Sequence, residues 1–341
     1  MSALSLFSKT KPWVSSFFAC VSYYALTIFL FTKSDIKTTL IPVVCFAFGT
    51  APLSKSHPIS HGLQAILWFY VHLLGFNLCN QARQEADNED KCNKPWRPLP
   101  SGRISLESAM SLKYAVVIFS IILSTFYGLP AVYASEGLWL FTFAYHDLHL
   151  EENWIGKSVI NGAGYGCLAL GTVVVASESR QVDFIQVLAL LTIMTVISTT
   201  IHVQDFEDRI GDAQVGRRTL ILLHPRFARC YACATLISWT FYLCKTWELP
   251  QQAAIFYAAF ALFLCARWLN KTTIKDDGWS YVLYNVCLHF SNHATFTNNS
   301  MQAWLAIAFL LPGYWRLFKE PAGPATSPLN LEFLLPRNLC F

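Results

Sequence analysis

Three aspartates, Asp205, Asp208 and Asp212, stand at i, i+3 and i+7 at the end of the apolar run 184–200. That spacing puts all three on one face of a helix. Like charges on one helix face repel by roughly 0.2–0.5 kcal/mol per pair. At a bilayer boundary the cost is greater, because desolvation disfavours the charged form. Such a face calls for a cation. Carboxylates that keep some water suit Mg²⁺, which takes one or two of them together with phosphate oxygens. The plain alternative is a solvated helix end that happens to be acidic. A second acidic stretch starts where the run 63–79 ends. Asn80 and Gln84 are i, i+4, Asp87 continues their face, and Glu89 and Asp90 follow where that helix should stop. "NKPWRPLPSG" (93–102) comes next, and its three prolines forbid a helix and stiffen the loop. This loop carries Lys94 and Arg97. A fixed Arg grips a phosphate with two parallel hydrogen bonds, and a Lys acts as a point charge. Two acidic helix ends, each followed by bases, read as a diphosphate bridged by Mg²⁺. Lys94, Arg97, Lys157, Arg217 and Arg218 then neutralise the remaining charge. Metal ions and bases together let diphosphate leave as an anion.

The elements that must position these groups are membrane helices. Of 341 residues 54% are hydrophobic and 13% charged, about half the charge of a soluble domain. Apolar runs at 13–31, 38–52, 63–79, 114–129, 131–145, 159–176, 184–200, 232–247, 253–269 and 302–315, with a weaker one at 279–290, give about nine to eleven spans. They are continuous rather than alternating, so the expected fold is an all-α polytopic transmembrane bundle, not a barrel. No cleavable signal peptide is evident, since no small-residue site follows the first run. Residues 1–319 read as one transmembrane domain and 320–341 as a Pro-rich tail. The eleven cysteines fall mostly in apolar runs and read as inert thiols. Three loops carry the charge: 82–113, 146–157 and 205–229. Even numbers of spans separate them, so all three share one side, and their Lys/Arg excess makes that side cytosolic. The result is a cytosol-facing central cavity. The net charge of +4 is small and scattered, with no nucleic-acid signal, and no protein partner is inferable. The substrate's other half lies in the apolar bundle and is a lipid tail.

An Asn-plus-acid motif, "KPxRPxPxG" after it and "DxxDxxxD" four spans later resemble the UbiA superfamily of intramembrane prenyltransferases, over about 35–226. "SDIKT" (34–38), "NKPWRPLPSG", "GKSVINGAGYG" (156–166) and "HVQDFEDRIGDAQVGRRTL" (202–220) resemble its fungal branch, which includes UbiA-type terpene cyclases. The resemblance implies Mg²⁺ and an isoprenyl diphosphate. It implies a metal-binding set of Asn80, Asp87, Glu89 or Asp90, with Asp205, Asp208 and Asp212. The usual first motif has Asp directly after Asn, whereas this chain has Gln81.

Once diphosphate leaves, an allylic cation remains. Aromatic faces stabilise cations by roughly 0.5–2 kcal/mol each. Phe141, Phe143, Tyr145, Trp154 and Tyr165 fall near the expected site, and Tyr145 and Tyr165 are assigned this role. For each, a lipid-facing aromatic is the plain alternative. His146, His149 and His202 are also nearby; His202 reads as a hydrogen-bonding helix residue that could take a final proton. The expected activity is a terpene cyclase acting on geranylgeranyl or farnesyl diphosphate, the preference over a transferase resting on the fungal-branch likeness. A UbiA-type prenyltransferase is the second reading. Transport is the third, disfavoured because the acids sit at helix ends beside basic loops. The expected location is a multi-pass membrane protein, of the endoplasmic reticulum if eukaryotic.

Overall fold

A computed structural model describes residues 12–51, 57–214, 216–285 and 304–319 of the chain. Its described residues are helical apart from turns, short linkers and isolated bridge residues, among them the pair Asn153 and Arg218. The expected Pro-rich tail lies outside the described residues, as does the part of the weak run 279–290 beyond Asn285. In chain order the helices are α1 (Pro12–Thr32), α2 (Ile41–Thr50, entered through a π-helical turn, Ile36–Leu40), α3 (Pro58–Gln81) and α4 (Gln84–Asn93). Next are α5 (Leu106–Thr125), α6 (Leu129–His146), α7 (Trp154–Ala176) and α8 (Phe184–Thr200). The series ends with α9 (Asp205–Gln214), α10 (Leu220–Leu223), α11 (Pro225–Thr246), α12 (Gln251–Asn270), α13 (Ile274–Asn285) and α14 (Trp304–Phe318).

Among the described residues five stretches are long and apolar enough to cross a membrane: α3, α5, α7, α12, and α8 continued through α9. This is fewer than the nine to eleven spans expected. α6 and α11 reach the length but are not apolar enough over it. The apolar stretches Phe17–Thr32 and Thr38–Thr50 are shorter.

Local rules set the boundaries. Asn153 Oδ1 accepts from the Ile155 amide at 2.8 Å and caps α7. Asp183 and Gln186 form a reciprocal capping box on α8. Prolines at the first turn open α3, α6 and α11, where the missing N–H costs nothing. α7 is the central helix, packing on α2, α3, α6 and α8. Small residues let it do so. A Cβ at Gly162 would overlap Ser198 of α8, and one at Gly171 would overlap the Trp68 ring of α3.

A buried charge cluster fastens α9 to the C-terminal half. Asp277 of α13, with its side chain fully buried, accepts from Arg209 of α9 at 2.6 Å and from both terminal nitrogens of α11's Arg229 at 2.8 Å. Full pairing offsets the desolvation of the buried carboxylate.

Candidate active site

The three charged loops meet at one end of the bundle. Arg83, between α3 and α4, donates to Glu151 of the 146–157 loop at 3.1 Å. Asn153 of that loop pairs with Arg218 of the third. Between them opens a cavity of about 240 Å³.

The mouth is charged. Asn80, Arg83, Asp90, Lys94, Arg97, Lys157, Asp208, Asp212 and Arg217 line it. Much of the acid is tied to nearby bases. Arg97 donates to both Asp90 oxygens at 2.8 Å. Arg217 reaches Asp212 at 3.1 Å. Lys157 donates to Asp205 Oδ1 at 2.6 Å, and both side chains are buried. The stiff loop holds Arg97 as its prolines lead one to expect: Ser101 N and Oγ both donate to the Arg97 carbonyl, at 3.0 and 2.7 Å. Trp96 of this loop carries the Lys33 ammonium at 4.4 Å from its ring centroid.

From the mouth the cavity follows one face of α7. Lys157, Ile160, Asn161, Gly164, Tyr165 and Leu168 line it, spaced i, i+3, i+4, i+7, i+8 and i+11. Eleven residues rise about 16 Å, so the wall runs deep into the apolar layer. Phe76, Leu138, Phe141, Ile201 and Tyr281 complete it. Just beyond Leu168, Trp68 packs against Gly171.

The sequence assignments divide accordingly. Asn80, Asp90, Lys94, Arg97, Lys157, Asp208, Asp212, Arg217, Tyr145 and Tyr165 come together on one cavity. Asp205 stands behind the wall as the partner of Lys157. Asp87 is not among the lining residues; it pairs with Lys91 at 2.8 Å, one turn along α4. Of Glu89 only the backbone is described. Arg218 is exposed beside the mouth and does not line it. Phe141 joins the lining, whereas Phe143 is exposed and Trp154 packs on Tyr231. His202 is buried against Tyr231 and Phe206 and is not itself among the lining residues. Gln81, in the place of the usual second acid, donates to the Phe31 carbonyl at 2.8 Å and so ties α3 to α1. The expected unbroken face from Asn80 to Asp87 is interrupted, because α3 stops at Gln81 and α4 starts afresh at Gln84.

Several lining residues carried no individual assignment, among them Asp35, Arg83, Asn161, Gln204 and Tyr281. Asp35 lies in the turn after α1. Burial raises its carboxyl above the usual range, against the pull of Arg97, Lys94 and an Asn77 hydrogen bond. No spacing marks these residues, since a lone polar side chain in an apolar run has no period. Tyr165 is itself held, its hydroxyl 2.8 Å from Thr39 Oγ1.

The donor set suits a divalent cation that arrives with a diphosphate. Asn80, Asp90, Asp208 and Asp212 offer oxygens to one space, and Asp212 Oδ2 is buried without a hydrogen-bond partner. Among the described residues no three His, Cys, Asp or Glu side chains cluster closely enough to hold a metal alone. Mg²⁺ does not need three, because it usually completes its shell with phosphate and water oxygens.

Fold and site together define an all-helical integral membrane enzyme with a charged mouth over an apolar pocket. The chain belongs to the UbiA prenyltransferase family, whose model matches residues 39–293. It is 32% identical over 271 residues to the fumagillin beta-trans-bergamotene synthase af520 of Aspergillus fumigatus, covering 78% of this chain and 90% of that protein. It is 28% identical over 283 residues to the diterpene cyclase eriG of Hericium erinaceus, covering 79% and 87%. A UbiA homolog from Archaeoglobus fulgidus, solved bound to GPP and Mg²⁺, shares the fold with a TM-score of 0.58 at 14% identity, over 84% of this chain and 98% of that one. The chain is thus a UbiA-type enzyme, a terpene cyclase or a prenyltransferase.

Proposed function

We propose that the protein is a Mg²⁺-dependent terpene cyclase that ionises geranylgeranyl or farnesyl diphosphate and closes the resulting cation to a cyclic hydrocarbon. The observation that carries this is the continuity of one cavity. It begins among acids and bases and ends along the α7 face among Phe141, Tyr145, Tyr165 and Leu168. A diphosphate suits the first part and an isoprenyl tail the second. The two fungal relatives, one a synthase and one a cyclase by name, support cyclisation.

Asn80, Asp90, Asp208 and Asp212 would hold Mg²⁺, which neutralises diphosphate charge and so favours its departure. Arg83, Lys94, Arg97 and Arg217 bind phosphate oxygens directly. To do so Arg97 and Arg217 exchange Asp90 and Asp212 for phosphate, and the freed carboxylates become available to the cation. Lys157 keeps Asp205 and adds positive charge at the rim. After ionisation the tail lies between Tyr145, Tyr165 and Phe141, whose ring faces favour positive charge while the apolar wall keeps water away. Asp87, Glu89 and Arg218 act at most from the edge, as second-line charges.

We further propose that the shorter helices also cross, giving about nine to eleven spans in one domain over 1–319, with a tail at 320–341. The charged mouth then faces the cytosol, in keeping with its Arg and Lys content. In a eukaryotic cell the membrane is that of the endoplasmic reticulum.

A transferase with the same metal site is the second reading. Asn161 and Gln204 in the inner wall favour it, being the kind of groups that would hold a polar acceptor. The test is to incubate membranes with each isoprenyl diphosphate and Mg²⁺, with and without aromatic acceptors. Cyclic hydrocarbon without acceptor supports the cyclase; product only with acceptor supports the transferase.

A further inference from the structure

The histidine at the end of α6, His146, touches Asn80, one of the residues assigned to the metal. His146 Nε2 lies 2.6 Å from Asn80 Oδ1. Its other ring nitrogen, Nδ1, faces Glu151 Oε1 at 3.5 Å. Arg83 reaches the same Glu151 oxygen at 3.1 Å. Four residues from two stretches of chain, 80–83 and 146–151, thus form one linked set at the cavity wall: Asn80, His146, Glu151 and Arg83.

We propose that His146, braced by Glu151, is a positioning residue that fixes the Asn80 amide for its cation. This rests on the reading of Asn80 as a metal ligand. An amide oxygen has two lone pairs. The His146 N–H occupies one and pins the side chain, leaving the other for a cation. Without that bond the Asn80 side chain, at the very end of α3, has rotamers to choose from, and ordering it would cost binding free energy. The histidine itself has little freedom. It is buried, Tyr145 packs edge-on against its ring at 4.8 Å, and the Glu151 carboxylate stands behind it.

The brace is in turn built into α7. Glu151 sits in a short 3₁₀ turn, Leu150–Glu152, entered through His149 in the left-handed region at φ 54°. A Cβ at Gly156 would come within 2.6 Å of the Leu150 carbonyl oxygen. Only glycine lets this turn lie against the first turn of α7, and so lets Glu151 reach His146. Burial raises the Glu151 carboxyl, but the nearby His146 ring, its own backbone and Arg83 outweigh this and leave it below its ordinary value, so that a carboxylate stands 3.5 Å behind the ring.

The alternative is that the set only staples loops together, and the experiment separates the two. In detergent-solubilised protein, Mn²⁺ binding is followed by electron paramagnetic resonance in the presence of a non-ionisable thiolo analogue of farnesyl diphosphate. The Mg²⁺ dependence of diphosphate release is followed in parallel. His146→Leu should raise the half-saturating metal concentration about 10–100-fold, the range for losing a group that orients a ligand. His146→Gln, which keeps an N–H donor, should stay within about threefold of the parent. In an Asn80→Ala background His146→Leu should add nothing, because no amide is left to position. Should His146→Leu fail to accumulate, Glu151→Ala, which removes the group behind the ring, replaces it in the same cycle, with a smaller shift in the same direction. Unchanged metal binding in both His146→Leu and Glu151→Ala, or effects that simply add to Asn80→Ala, would overturn the proposal while leaving Asn80 as ligand. Unchanged metal binding in Asn80→Ala itself would overturn that earlier reading and the positioning role with it.

Discussion

At the scale of single residues, the three aspartates of α9 have different work despite their shared helical periodicity. Asp208 is exposed in the cavity wall, Asp212 is buried with one oxygen unpaired, and Asp205 is consumed by Lys157. Their substitutions should therefore differ in kind. Asp208→Ala should abolish diphosphate release while leaving the melting temperature in detergent unchanged, because little is buried there. Asp205→Ala leaves a buried ammonium without its counter-ion, a loss on the order of 3–5 kcal/mol. It should lower both activity and the yield of folded protein, while Asp205→Asn with Lys157→Met should recover the fold without the activity. Equal melting curves for Asp205→Ala and the parent would remove Asp205 from its structural role. Arg97→Ala should act more mildly, raising KM more than it lowers kcat, since Lys94, Arg83 and Arg217 remain at the mouth. The acids were legible in the sequence because charge at the end of an apolar run is costly and so marks a purpose. Which acid meets which base was not legible, since that depends on loops folding back over α4 and α9.

At the scale of elements, α7 measures the pocket and α13 holds the second acidic helix in place. Gly164 lines the cavity, and a Cβ there would have only Leu138 Cδ1 nearby, at 3.8 Å. A larger side chain therefore projects into the space meant for the tail. Gly164→Leu should shift preference toward shorter isoprenyl diphosphates, read as the ratio of kcat/KM between C10 and the longer substrates. An unchanged ratio would mean that the tail does not follow α7. Asp277 anchors Arg209 and Arg229 at once. Asp277→Ala leaves two guanidinium groups without their carboxylate and should cost about 3–5 kcal/mol, visible as a marked fall in melting temperature. The apolar helices themselves were readable from unbroken hydrophobic runs. The break between Gln81 and Gln84 was not. An i, i+4 pattern suggests one continuous helix, and nothing local in "NQARQ" forbids it. The turn exists because Gln81 is drawn to α1 and Arg83 to Glu151, both contacts with distant parts of the chain.

At the scale of the whole molecule, the three polar loops close over one end of a greasy bundle. Counting spans gave their convergence, and the pairs Arg83–Glu151 and Asn153–Arg218 agree with it. The side they face follows only from charge. Single cysteines at the exposed positions Ser101, Glu152 and Ala213, in a background with the native cysteines replaced, should all react with an impermeant maleimide from the cytosolic side of sealed vesicles. Labelling of one from the opposite side would break the convergence. Inner polar residues such as Asn161 and Gln204 stayed hidden in the sequence because only the assembled bundle shows which faces of α7 and its neighbours enclose space.

The central claim is that one cavity both ionises a diphosphate and closes its tail. It is tested most directly by supplying purified protein in lipid with farnesyl or geranylgeranyl diphosphate, Mg²⁺ and no acceptor. Inorganic diphosphate and a cyclic hydrocarbon should appear in equal amounts, both lost on chelation and in Asp208→Ala. Intact substrate after prolonged incubation, with turnover appearing only once an acceptor is added, would contradict it.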